Sequence, residues 1–333
     1  MALRFFFSLL VSIILFSPAW GETIKDGFYS DYDANGVLLR TVERQGGELN
    51  GRFRNFYSDG RVKAWGQYLH NQQEGLAYVY YPSGVPQLKS FYEAGKLHGV
   101  ATMYWPSGKI KSESTYIKGV LDGISREYDV DGKLSIERNY HWGKENGLTK
   151  EFYTTGQLKA ETEFKEGKQE GVIKEYHPSG KMKAVFKSFD GVKTGVAKEF
   201  YPTSGVAREG FMTNGQWDGV VKNYYESGKL LSAVNYKDGS MNDPAWREFY
   251  ETGEILRTAN VIKGKKEGEA KEFYPDGQVK IVGEYLHDKP FGIFKTFSDD
   301  GVLTSEDEFL AGKKMHHREF DQTGKMIMEQ HFY

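Results

Sequence analysis

"HGVATMYWPSGKIKSESTYIKG" occupies residues 98–119, and "EGVIKEYHPSGKMKAVFKSFDG" occupies residues 170–191, 72 positions later. Both put a tyrosine two residues before Pro-Ser-Gly-Lys, at Tyr104 and Tyr176, and an aromatic residue shortly before the closing glycine. Working outward, the glycine of this turn recurs as Gly36, Gly60, Gly84, Gly108, Gly132, Gly156 and Gly180, at steps of 24. It continues as Gly205, Gly228, Gly253, Gly277, Gly301 and Gly324 with a drift of one residue at most. Thirteen such units fill residues 22–333, leaving no unrepeated segment for a separate catalytic domain.

Each unit carries columns tied to its glycine. Four residues before it stands an aromatic residue, as in Tyr80, Phe152 and Phe273, with Phe200 five before Gly205. Two after it stands a mostly aliphatic residue, such as Val62, Leu158 or Val279, and eight after it a second aromatic, such as Tyr68, Tyr140 or Phe309. Apolar residues at even spacing within short segments are strand periodicity. Pro82, Pro106, Pro178 and Pro275 sit two before the glycine, where a type I turn accepts proline, and the glycine itself suits the left-handed residue that closes a three-residue hairpin loop. That loop predicts the aromatic column opposite the aliphatic one. It also sets Glu151 against Lys159, Glu175 against Lys183, Glu199 near Arg208 and Glu272 against Lys280. The recurrent Gly-Lys-x-x-Gly at 95–99, 143–147, 167–171 and 264–268 supplies the second reversal, with glycines at both ends.

The expected fold class is therefore all-β: an elongated open antiparallel β-meander, a repeat ribbon of about thirteen 24-residue hairpin units. About 26 strands at ~4.8 Å each give a rod on the order of 120 Å long. The turn of "EGVIKEYHPSGKMKAVFKSFDGVKTG" (170–195) and the Gly-Lys-x-x-Gly connectors resemble the bacterial variant of the MORN repeat, as found in proteins named YwqK-family antitoxins. The resemblance covers residues 22–333 and implies a binding or scaffolding surface in place of catalysis, with an antitoxin-like binder of a toxin as an alternative.

Residues 1–21 read as a signal peptide: Arg4, an apolar run from Phe5 to Phe16, then Pro18 and Ala19-Trp20-Gly21. The run is too short for a spanning helix, so an exported mature chain, periplasmic or secreted and without a transmembrane segment, is expected. Losing Arg4 takes the net charge from −2 to −3, which gives no general attraction to nucleic acid. With no cysteine, disulfides and cysteine-ligated metals are excluded.

No catalytic, cofactor or metal site is expected. The eight histidines fall mainly in connector columns, and His316 and His317, adjacent on a strand, should face opposite sides. Connector acids such as Glu74, Asp122, Glu170, Asp218 and Glu267 offer one carboxylate per 24 residues, too few for calcium, and read as solvated loop charges. One column invites a functional reading. Six before the turn glycine stand Lys150, Lys174, Lys222, Arg247 and Lys271, with Lys198 at the shifted equivalent. On the face of the aromatic column their stems would cover rings, with a cation–π contribution. Alternatively they form a track for an anionic partner: an acidic protein face, an envelope polymer such as an acidic glycan, or a membrane surface. The expected function is that of an exported non-enzymatic binding or scaffolding protein, with a secreted effector or adhesin as the rival.

Overall fold

The computed structural model describes residues 25–332. The signal-peptide reading of residues 1–21 falls outside them. The chain is all-β, one open antiparallel sheet of 30 strands in meander order. Four of these are two-residue stubs, Lys96–Leu97, Lys144–Glu145, Val192–Lys193 and Ser240–Met241. The remaining 26 are the strands the period predicts.

Each turn is built as its residues require. Tyr153 N donates to Gln157 O at 2.8 Å and Gly156 N donates to Tyr153 O at 2.8 Å. Gly156 sits at φ +89°, where an L side chain is strained although nothing lies within 4 Å of a Cβ placed there. The unit with an apparent insertion behaves differently from the sequence alignment. Ser204, at φ +85°, occupies the turn position, with Tyr201 N donating to Gly205 O and Ser204 N to Tyr201 O. Phe200 and Lys198 therefore stand four and six before their turn residue like every other unit, and the step from Gly180 is 24. The extra residue lies later, between Asp243 and Trp246, where the ladder shifts register.

The connectors reverse in two residues, both with positive φ, as at Glu166 (51°) and Gly167 (84°). This is the primed turn whose twist matches that of the flanking strands. The second connector glycine does other work. Gly171 lies at φ +124° in a bulge opposite Thr162 and Phe164, and a Cβ there would collide with the Glu163 carboxylate. The connector acids are also structural and not merely solvated. Glu74 accepts from Ala94 N at 2.9 Å, Asp122 from Trp142 N at 3.2 Å and Glu267 from His287 N at 3.2 Å, each holding the next unit's reversal.

A bulge beside every turn decides the faces. Phe152 pairs with Leu158 as expected, but Glu151 pairs with Ala160, so the residue between is extra. The predicted ion pairs still form across it, Lys159–Glu151 at 3.1 Å, Lys183–Glu175 at 3.2 Å and Lys280–Glu272 at 2.9 Å. Arg208, which pairs with Glu199 in the ladder, instead bonds Asn223. Counting across the bulge puts the two aromatic columns on opposite faces, where even spacing suggested one. The column eight after the turn packs with residues seven before it: Phe53 with Tyr68 at 5.0 Å, Tyr285 with Phe294 at 5.4 Å. This packed face holds the buried residues apart from Thr102, and the column containing Phe152 is half-buried on the other.

The chain divides into two compact units, residues 1–110 with 116–119, and 111–115 with 120–333. The first is centred on Val42, Leu49, Phe53 and Tyr68, with Tyr29 against them. The second is centred on Ile173, Ala184, Phe186, Ala197 and Met212, with Trp217 against them.

Candidate binding face

The basic column lies on the face opposite the packed one. In the second unit the ladder arranges its residues in one continuous row, each strand contributing a residue. The row runs Arg126, Glu137, Lys150, Glu161, Lys174, Val185, Lys198, Glu209, Lys222. It goes on through Ala233, Arg247, Thr258, Lys271, Val282 and Lys295 to Glu306. The structure thus brings all six predicted residues together on one face. It also corrects the expected chemistry, because acids five after the turn glycine alternate with the cations over the first stretch. Arg126 binds Glu137 at 2.8 Å, Lys174 approaches Glu161 at 3.7 Å and Lys198 binds Glu209 at 2.8 Å. The glutamates five residues after the turns were visible in the sequence, but only the bulge count places them in the row. The cation–π cover is not made by this column: among the described residues the cations over rings are others, such as Lys193 over Phe186 at 3.6 Å.

From Lys222 to Lys295 the row changes character. The intervening residues are Ala233, Thr258 and Val282, all neutral. Lys222 and Arg247 form no ion pair within 4 Å among the described residues, while Lys271 is held by Glu269 on its own strand at 2.7 Å.

Two neighbouring rows complete the face. Where an acid occupies the main row, the following unit's aromatic column can reach it. Tyr128 OH donates to Glu113 at 3.0 Å, Tyr176 OH to Glu161 at 3.0 Å and Tyr224 OH to Glu209 at 2.7 Å. Burial, with this bond to a carboxylate, pushes the Tyr224 hydroxyl up to about 12, while Lys198 and Tyr224 hold the Glu209 carboxyl below its usual range. Beyond Lys222 the same column holds Phe249, Phe273 and Phe297. On the far side, eight before each turn, lies an aliphatic row that the sequence reading missed: Ile124, Leu148, Val172, Val196 and Val220. Val196 is 54% exposed and Val220 57%, with Phe211, paired to Val196, 49% exposed.

Along the turn edge a second missed column, three before the turn residue, links unit to unit. Tyr57 OH donates to Tyr80 O at 2.6 Å, Tyr153 to Tyr176 O at 2.8 Å, Tyr201 to Tyr224 O at 2.6 Å and Tyr274 to Phe297 O at 2.9 Å. His177 takes the same place against Phe200 O at 3.3 Å. Each hydroxyl reaches the carbonyl 23 residues on. The signal for it was the aromatic residue directly before the turn's proline, present in the opening quotation as Trp105 and His177.

A family model described as the MORN repeat variant matches residues 73–94, 97–118, 145–166, 169–186, 217–238 and 266–287. The chain is a MORN-repeat protein. Each match takes in one hairpin and its turn. No curated protein sequence matches it. Among solved structures it is similar to a chain of the TcdB2-TccC3-Cdc42 crystal structure at 12% identity, over 93% of this chain and 18% of that one, with a TM-score of 0.17. A chain of the Photorhabdus luminescens Tc holotoxin pore gives 13% identity over 91% of this chain and 18% of that one, with a TM-score of 0.15. The MORN chain thus spans less than a fifth of the length of those chains, and so faint a likeness says nothing of what it binds.

Among the described residues no group of three or more His, Asp or Glu is placed to hold a metal. His316 faces Glu308 at 2.9 Å on the basic face, and His317 faces Asp307 at 2.6 Å on the packed face.

Proposed function

We propose that this MORN chain is an exported, non-enzymatic repeat protein whose basic face binds or scaffolds a protein or an envelope polymer. The observation that carries the reading is the exposed aliphatic row at Val196 and Val220 beside a row of cations. Val196, its ladder partner Phe211 and Val220 form an exposed apolar patch beside that row, and such a patch is costly to leave in water and marks an interaction surface. Export rests on the apolar leader at residues 1–21, and the non-enzymatic reading on the repeats, which leave no unrepeated segment between residues 22 and 333. The test is to express the full chain with a photo-crosslinking residue at Val220, or at the turn-tip Thr155 as control, and to fractionate the cells. The reading expects the mature form, lacking residues 1–21, in the exported fraction, and a discrete adduct from Val220 alone. A full-length chain confined to the cytoplasm refutes export; no adduct from Val220 refutes the binding face.

A further inference from the structure

We propose that the segment of the basic row from Lys222 to Lys295 is a docking track for an extended acidic polypeptide that presents a carboxylate at every third residue. This rests on the binding-face reading above and narrows it to one part of the row and one partner chemistry.

Charge decides the place. From Arg126 to Lys198 each cation of the row faces at least one acid across the ladder, so an incoming anion would have to displace Glu161 from Lys174 or Glu209 from Lys198. Between Lys222 and Lys271 the ladder neighbours are Ala233 and Thr258; Lys222 faces Glu209 only on its other side, and neither Lys222 nor Arg247 forms an ion pair within 4 Å among the described residues. A carboxylate arriving at Lys222 or Arg247 gains a partner without breaking an ion pair, and only at Lys271 does it compete with Glu269.

Spacing decides the shape. These cations stand on alternate strands, about 9.6 Å apart from two strand spacings of ~4.8 Å. A polyproline II chain rises ~3.1 Å per residue with three residues per turn, returning the same face every ~9.3 Å. The mismatch over the two intervals from Lys222 to Lys271 is roughly 0.6 Å, within the reach of a lysine side chain. An acid at every second residue of an extended chain falls out of step within one interval. Twist favours a linear chain over a flat membrane. At roughly 20–25° per strand, Lys222 and Lys271 are turned some 80–100° apart, so a planar surface cannot face both. On one flank Val220 and Ile293, both exposed, offer apolar contact to peptide side chains.

The test measures binding of fluorescein-labelled (Glu-Pro-Pro)4 to the whole chain by anisotropy at low salt. Comparison ligands are (Gln-Pro-Pro)4, (Glu-Pro)6, polygalacturonate and phosphatidylglycerol vesicles. The proposal expects (Glu-Pro-Pro)4 to bind best and its affinity to fall at least about tenfold in the Lys222→Gln, Arg247→Gln, Lys271→Gln triple variant. The Lys150→Gln, Lys174→Gln pair should change it by less than about twofold. Glu269→Gln, which frees Lys271, should tighten binding, a gain that loss of folding cannot produce. Equal losses in the two lysine variants, no gain from Glu269→Gln, preference for the polysaccharide or vesicles, or no binding of any acidic peptide would each overturn it. If the peptides fail while Val220 still captures a discrete partner, the track is wrong and the binding face stands.

Discussion

Replacing Ser204 with glycine and Gly180 with serine exchanges the chemistry of two turns that the structure makes equivalent. Ser204 lies at φ +85° and Gly180 at φ +82°, and a Cβ at Gly180 has nothing within 4 Å. The difference between the residues is therefore conformational, not steric. A left-handed L residue costs about 1–2 kcal/mol, and glycine gives back about 0.4–1 kcal/mol by loosening the unfolded chain. Ser204→Gly should stabilise its hairpin by roughly 0.5–1 kcal/mol, and Gly180→Ser should destabilise the neighbouring one by a similar amount. Because stability in a repeat array is largely local, the effect should appear as a change of several-fold in amide-exchange protection of Val206–Thr213 in the first variant and Met182–Phe189 in the second. If protection of Val206–Thr213 falls in Ser204→Gly, then Gly205 is the true turn residue and the assigned register is wrong. A loss above ~3 kcal/mol in Gly180→Ser would mean that something does fill the space beside that turn.

Phe53→Ala, at a side chain 5% exposed, should cost about 3–5 kcal/mol, and Phe152→Ala on the opposite face about half of that; equal losses in urea melts would deny the change of face at the bulge. Tyr153→Phe removes only the hydroxyl that reaches Tyr176 O, so it should cost about 0.5–1.5 kcal/mol and raise exchange locally on both sides of the link. If exchange is unchanged, water replaces the bond at no cost. Tyr224 should ionise near pH 12 in ultraviolet titration, and Glu209→Gln should lower that value. Its folded pKa lies above the unfolded value near 10, so its contribution is intact below pH 10 and is lost as pH rises from there through about 12. Glu209 works in the opposite sense: its contribution is present above the unfolded carboxylate pKa and is lost as pH falls through its depressed folded value. Stability that peaks above pH 11 would contradict the tyrosine assignment.

The period, the strand count and the turn could be read from Gly156 and its counterparts because a three-residue hairpin loop leaves few alternatives to a left-handed glycine. The faces could not be. Parity says that Phe152 and Phe164 share a side, and one bulged residue beside the turn reverses it without any sequence mark of its own, since Lys159 looks like an ordinary strand residue. The same uncertainty hid the row of acids among the cations: Glu161 belongs beside Lys150 and Lys174 only after the bulge is counted. The alignment went astray at Ser204 because Gly205 next to it matches the motif, and serine in the left-handed region has no signature. The connector reversals were legible in their glycines, but the left-handed residue before each glycine was not, since Lys118, Trp142 and Glu166 do not advertise positive φ and are held there by the ladder on either side.

The tyrosine links along the turn edge end on main-chain carbonyls. A hydroxyl that reads a carbonyl asks only that a strand be present at the right height, and the residue supplying it is Tyr176 in one unit, Phe249 in another and Phe297 in a third. No unit needs a matched partner in the next. A gene encoding such an array can lengthen or shorten by unequal recombination in steps of 24 codons, and a duplicated unit that carries the tyrosine brings its fastener with it. The side-chain rows on the basic face have no such immunity, since a duplicated unit brings its own acid or neutral residue into the row. Array length and surface charge pattern are therefore free to evolve separately.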